Sequence, residues 1–171
     1  MNVLFFLTAA VAIVSTAMVI TRLNAVHALL YLIVALLSVA LIFFSLGAPF
    51  VAALEVIIYA GAIMVLFVFV VMMLNLGPHA TDQESEWLKP RMWAGPAILA
   101  AILVSELVYV LLQSPNQLVG LSAVQPKEVG IALFGPYLLA VELASMLLLA
   151  GLVAAYHLGR RDQSDEQRKD V

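Results

Sequence analysis

Three carboxylic acids stand inside long apolar runs of this 171-residue chain: Glu55, Glu106 and Glu142. An acid at the centre of a membrane helix costs roughly 2.5–3.5 kcal/mol on insertion scales, so each needs a physical reason to be there. No Lys or Arg lies within the same runs to neutralise them. Each must therefore hold its proton, meet water, or pair with a group on another polypeptide. The chemistry open to such groups is the carriage of protons.

Glu55 and Tyr59 are four residues apart and share one helix face, with Ala62 about one turn further along. A carboxyl and a phenol stacked in this way form part of a proton path where water reaches them. The plainer alternative is an acid solvated near the membrane surface or bonded to a neighbouring helix. Glu142 lies about two turns inside the last apolar run, with Ser145 close on the same face, and ranks second as a buried acid. Glu106, between Ser105 and Tyr109, reads as an acid that snorkels toward the nearer surface or meets a polar partner.

Ala60-Gly61-Ala62 follows Tyr59 directly. Small residues let a second helix approach closely, the commonest use of glycine in membrane helices. A π-bulge or hinge is the other reading, because glycine tolerates the altered backbone. Spacing does not choose between them. The bulky run MVLFVFVVMM that follows is a packing surface.

Other chemistry is excluded by what the chain lacks. It has no cysteine, hence no disulfide, thiolate nucleophile or cysteine-held cluster. His27, His79 and His157 are far apart and near predicted helix ends, where His27 and His157 read as interfacial anchors; no metal site and no cofactor site is expected on this chain. No phosphate loop, dinucleotide fingerprint or catalytic triad is present. A net charge of −3, carried mostly by loops and tail, gives no nucleic-acid partner.

The elements that must position the acids follow from composition. The chain is 64% hydrophobic and 11% charged, whereas a soluble domain keeps roughly a quarter of its residues charged. It is predicted to be an all-α integral membrane protein of the lipid bilayer. Five runs reach the roughly 20 residues a spanning helix needs, at about 3–20, 28–46, 51–76, 94–112 and 137–158. They are continuous rather than alternating, which favours helices over strands. Gly47, Gly77 and Gly159 each follow a run, and Pro49 and Pro78 stand just beyond two of them.

The opening run lacks a basic flank and is too long for a signal peptide, so it reads as a retained first span. The polar connection from Gly77 to Met92 and the tail 159–171 read as solvated, the tail as disordered. VGIALFGP, before the last span, suits a short surface helix, and no internal repeat is visible. With the N-terminus on the periplasmic side and the C-terminus on the cytoplasmic side, Arg22, Lys89, Arg91, Arg160, Arg161, Arg168 and Lys169 fall inside and Lys127 outside, as the positive-inside rule requires.

The third run, VAALEVIIYAGAIMVLFVFVVMMLN, closely resembles the signature helix of the subunit J family of the bacterial proton-pumping NADH–quinone oxidoreductase, respiratory complex I. NAVHALLYLIVALLSVALIFFSLGA and VGIALFGPYLLAVELASMLLLAGLVAAYHLGRR are similar to the same family. The resemblance implies a multi-pass subunit of the bacterial inner membrane, beside subunits A, H, K and N. It implies no redox centre on the chain itself, with NADH, FMN, iron–sulfur clusters and quinone held on or between other subunits.

It further implies a π-bulge in the third helix that relaxes to regular helix as the enzyme turns over. That change would open a water-filled proton path toward buried acids of subunit K. On this sequence, Glu55 and Tyr59 would border the path and Gly61 would permit the bulge. Met64, Val65 and Phe67 would be the bulky gates. Glu106 is outside the family pattern. A free-standing proton or ion transporter and a passive membrane scaffold are the alternatives.

Overall fold

The computed structural model describes residues 3–74, 90–112 and 123–159. The expected solvated connection, His79, most of the polar tail and the outer part of the loop after the fourth run lie outside these residues. All described regular structure is helical, and five helices are long and apolar enough to cross a membrane. The elements are α1 (Val3–Thr21), α2 (Ala25–Ser45), α3 (Pro49–Leu54), a π-segment (Glu55–Ile63), α4 (Met64–Leu74), α5 (Pro90–Leu112), α6 (Pro126–Phe134) and α7 (Leu138–Gly159). α3, the π-segment and α4 run on as one third span.

Local chemistry explains where the helices begin and stop. Asn24 caps α2: its backbone is extended and its side-chain oxygen accepts the His27 N–H at 3.1 Å, satisfying one of the orphan donors of the first turn. At the other end the Ala48 N–H donates to the Phe43 carbonyl and the Gly47 N–H to that of Phe44. This is a Schellman closure, and it needs a left-handed residue at its hinge. Gly47 supplies it with φ 81°. Pro49 then opens α3, where its fixed φ fits a helix start and its missing N–H has no role. The Val124 N–H donates to the Gly47 carbonyl at 2.8 Å, tying the segment after α5 to this turn.

The contacts divide the chain into two units, Met1–Gln125 and Pro126–Val171. In the first, α2 is the hub: α1, α3, the π-segment, α4 and α5 all pack on it. Ala35, Ser38 and Ala40, small and buried on α2, allow that close approach. Val11, Val34 and Leu103 form a buried apolar layer where α1, α2 and α5 meet. Tyr31 of α2 lies against Gly95 of α5, and a Cβ on Gly95 would overlap the Tyr31 hydroxyl. Gly95 is thus fixed by steric contact, and the buried Pro96 beside it removes one backbone donor from α5.

In the second unit α6 is the short helix expected before the last span, and it leads into α7 through a turn in which the Tyr137 N–H donates to the Ala132 carbonyl. None of the residues of α7 is buried. Such a helix, apolar on all sides, is stable only against lipid or other membrane helices.

Candidate functional site

Residues of the third span leave the α-helical hydrogen-bond pattern at the acid. The backbone N–H of Glu55 still reaches the carbonyls of Val51 and Ala52, as in an α-helix or tighter turn. From Glu55 to Ile63 the chain is a π-helix, and at its end the Met64 N–H is shared between the carbonyls of Tyr59 and Gly61. The Tyr59 bond spans five residues, the π pattern; regular helix spans four. Nine residues of π-helix are long for an element that is mostly seen as a single turn.

Gly61 lies inside the π-segment, five residues after Val56. A Cβ there would lie 3.2 Å from the Val56 carbonyl oxygen, five residues back. That carbonyl is the one a π-turn directs at the Gly61 N–H. Glycine therefore removes the contact that would press on the π form.

Glu55 is partly exposed and Tyr59 is 48% exposed on this segment. Val65 and Phe67 also face out of the chain, whereas Met64 is 1% exposed, the one buried residue from 55 to 73. The wide backbone thus carries the polar pair on an open face and one bulky side chain inward. Beside it lies an apolar cleft of about 330 Å³, walled by Leu41 and Phe44 of α2, Ala52 and Ala53 of α3, Val56 of the π-segment, and Leu103 and Leu107 of α5. No polar side chain lines it.

The other acids behave differently from one another. Glu142 is exposed on α7, and Ser145 donates to the Glu142 backbone carbonyl rather than to its carboxyl. Glu106 does not snorkel. It is 4% exposed, turned between helices, and its Oε2 lies 2.8 Å from Thr8 Oγ1 of α1. A polar partner, one of the two outcomes expected from the sequence, is what it meets.

Thr8 has no signal in the sequence, because Thr in a membrane helix ordinarily bonds its own i−4 carbonyl. It does that here too, at 2.9 Å from the Leu4 carbonyl oxygen. Ser38 and Ser15 are fully buried as well. Ser38 bonds the Val34 carbonyl, and the Ser15 hydroxyl has no partner among the described residues. The His27 and Tyr31 rings meet at a 45° tilt with centroids 5.0 Å apart, and Arg22 lies over the Tyr31 ring, a polar cluster at the start of α2. His157 is exposed. Among the described residues no group of His, Cys, Asp and Glu is placed to hold a metal ion.

Known proteins share this sequence along nearly its whole length. Residues 15–158 match the family model of NADH-ubiquinone/plastoquinone oxidoreductase chain 6. The chain is similar to the NADH-quinone oxidoreductase subunit J of Pseudomonas aeruginosa, with 61% identity over 95% of this chain and 98% of the relative. The subunit J of Escherichia coli K12 is 57% identical over 99% of this chain and 94% of its own length. That of Buchnera aphidicola from Acyrthosiphon pisum is 48% identical over 98% and 99%. With most of its length matched by the family model and near-complete likeness to these relatives, the chain belongs to the NADH-ubiquinone/plastoquinone oxidoreductase chain 6 family.

Proposed function

We propose that this chain is a multi-pass inner-membrane subunit of a proton-translocating NADH–quinone oxidoreductase, and that its third span couples quinone reduction to proton transfer. The relatives are named as subunit J of NADH-quinone oxidoreductase, which supports the first part. The observation that carries the second is the π-segment from Glu55 to Ile63, which bears a partly exposed acid and an exposed phenol.

The mechanism follows from helix geometry. Returning the π-segment to regular helix shortens each hydrogen-bonded loop by one residue, which turns α4 by about 100° relative to α3. Met64 would leave its buried place and a neighbour would take it. Val65 and Phe67 would swing with it, closing or opening the face that carries Glu55 and Tyr59. The apolar cleft beside Val56 leaves space for that repacking.

Quinone chemistry elsewhere in the assembly would bias the two helix states, a population shift that requires different contacts in each state. A water-filled path would then connect Glu55 and Tyr59 to buried acids of a neighbouring subunit, K in this reading, with A, H and N as the other membrane neighbours. NADH, FMN, iron–sulfur clusters and quinone belong to, or lie between, other subunits. The N-terminus lies on the periplasmic side and the C-terminus on the cytoplasmic side.

Gly61→Val tests the coupling. The added branched side chain presses on the Val56 carbonyl and favours the regular helix. Proton pumping and quinone-linked turnover should fall at least tenfold, which corresponds to a bias of about 1.4 kcal/mol between the states. NADH oxidation by a water-soluble acceptor should stay unchanged in the assembled enzyme. Full pumping in a fully assembled variant would end the proposal.

A further inference from the structure

The third span and α5 each pack on α2, yet among the described residues they scarcely meet one another. The gap between them is the apolar cleft of about 330 Å³. Each wall is one stripe of its helix: Leu37 and Phe44 on α2, Pro49 and Val56 on the third span, Leu103 and Leu107 on α5. Between Pro49 and Val56 the third span offers the cleft only Ala52 and Ala53, whose methyl groups are too short to fill it. Ala40, Ala52 and Leu103 are buried at its back, whereas Val56, Val104 and Leu107 at its rim are exposed, so it opens on one side.

Depth in the membrane narrows what fits. On α2 the lining runs from Phe44, in the last turn, back seven residues to Leu37, about 10 Å along the axis. On the third span it runs from Pro49, in the first turn, to Val56, again about 10 Å. The cleft therefore starts at the turn Gly47-Ala48-Pro49 and ends within one leaflet, whose hydrocarbon is about 15 Å deep. A neighbouring subunit's spanning helix crosses the full depth of about 30 Å. A cleft that stops a third of the way does not seat one.

Chemistry narrows it further. No polar side chain lines the cleft, so a quinone ring, a lipid headgroup or water inside it would leave its hydrogen-bonding atoms bare. Apolar cavities of about 150 Å³ in soluble proteins stay dry and take up small hydrocarbons. In a bilayer the hydrocarbon at hand is lipid.

We propose that the cleft is a binding site for one acyl chain of a membrane phospholipid, which enters beside the Gly47-Ala48-Pro49 turn and lies between Val56 and Leu103, its headgroup left at the surface. The chain supplies the dispersion contacts that the two spans do not give each other. A fluid tail follows either wall as it shifts, so the site is independent of whether the π-segment moves.

Photolabelling of the intact enzyme in phospholipid vesicles tests this. One probe is phosphatidylethanolamine with a diazirine midway along an acyl chain; the other carries the diazirine on its headgroup. Mass spectrometry should place acyl-probe adducts on Ala40 and Leu103, at the back of the cleft, and no headgroup-probe adducts there. Ala53→Phe fills the cleft from the third span and Val104→Phe fills it from α5. Each should lower the Leu103 adduct by about fivefold or more while labelling elsewhere on the complex is unchanged. If one of the two fails to assemble, the other still gives the comparison, and the wild-type pattern stands without either. Adducts confined to Val104 and Leu107 overturn the proposal, because lipid then only brushes the rim. An unlabelled cleft also overturns it, since side chains of a neighbouring subunit then fill the space. So does labelling of Leu103 by a quinone with a photoreactive tail but not by the phospholipid.

Discussion

Thr8, Ser15, Ser38 and Glu106 are turned inward between α1, α2 and α5, whereas Glu55 and Tyr59 lie on a face of the third span that the chain itself leaves open. In the bundle each helix is regular, and Thr8 and Ser38 are held by carbonyls of their own helices. In the third span the backbone departs from regularity at the first polar residue and returns to it five residues after the phenol. A polar group locked from both sides adds to one structure. A polar pair on an unlocked helix, over a backbone with two hydrogen-bond patterns close in geometry, leaves a choice to whatever neighbour covers it. In the proposed mechanism this difference makes the bundle the fixed part and the third span the part that switches.

The largest expected effect comes from breaking the rigid side. Gly95→Val drives a branched side chain into the Tyr31 ring, which is 2% exposed. Overpacking of this kind costs about 1–3 kcal/mol, and here the upper end is expected. The enzyme should lose this chain on detergent extraction, read as the fraction of NADH-oxidising complex that retains it. Replacing Tyr31 by Ala in the same variant should restore part of that fraction, by removing the ring that the new side chain strikes.

A smaller effect follows at the polar layer. Thr8→Val removes the hydroxyl that donates to Glu106 Oε2 and leaves that buried oxygen without its partner on α1, and an unsatisfied buried polar group costs about 1–3 kcal/mol. The loss should be nearer 1 than 3, because in lipid the separated helices also find partners for such groups. Thr8→Val combined with Glu106→Leu should recover most of it, since removing both partners leaves nothing unsatisfied. The measurement is thermal loss of quinone reductase activity in the purified complex. If the double variant is worse than the single one by more than about 1 kcal/mol, then Glu106 supports the bundle through packing rather than through its pair with Thr8.

How much of this is legible in the sequence depends on what kind of signal each feature leaves. The five spans are visible because continuous apolar runs of this length have no other stable home. The turn at Gly47-Ala48-Pro49 is visible because left-handed backbone and a helix start call for particular residue types. The π-segment is not readable from spacing. A run apolar on nearly every side has no periodic stripe, so one extra residue in a turn changes no pattern; the expectation comes from resemblance at the Tyr59-Gly61 stretch. The inward turn of Glu106 is hidden for the same reason. Which side of α5 meets α1 depends on tertiary packing, and neither Ser105 nor Tyr109 marks it. Thr8, the decisive partner, is a residue type that membrane helices use routinely for their own carbonyls.

The smallest structural effect, and the sharpest functional one, belongs to Tyr59→Phe. Removing one hydroxyl from a half-exposed ring on an open face should change stability by less than about 0.5 kcal/mol. The bundle would not register it. If the third span carries a proton path at that face, protons moved per NADH should nevertheless fall, with artificial-acceptor activity intact, because no other residue of the π-segment except Glu55 has a polar side chain. Glu55→Gln should lower the same ratio by at least as much, since the amide cannot take up and release a proton. Unchanged stoichiometry in both variants would place the proton path elsewhere and reduce the exposed pair to contacts with a neighbouring subunit. The π-segment could then still turn, as a gate for something other than these two groups.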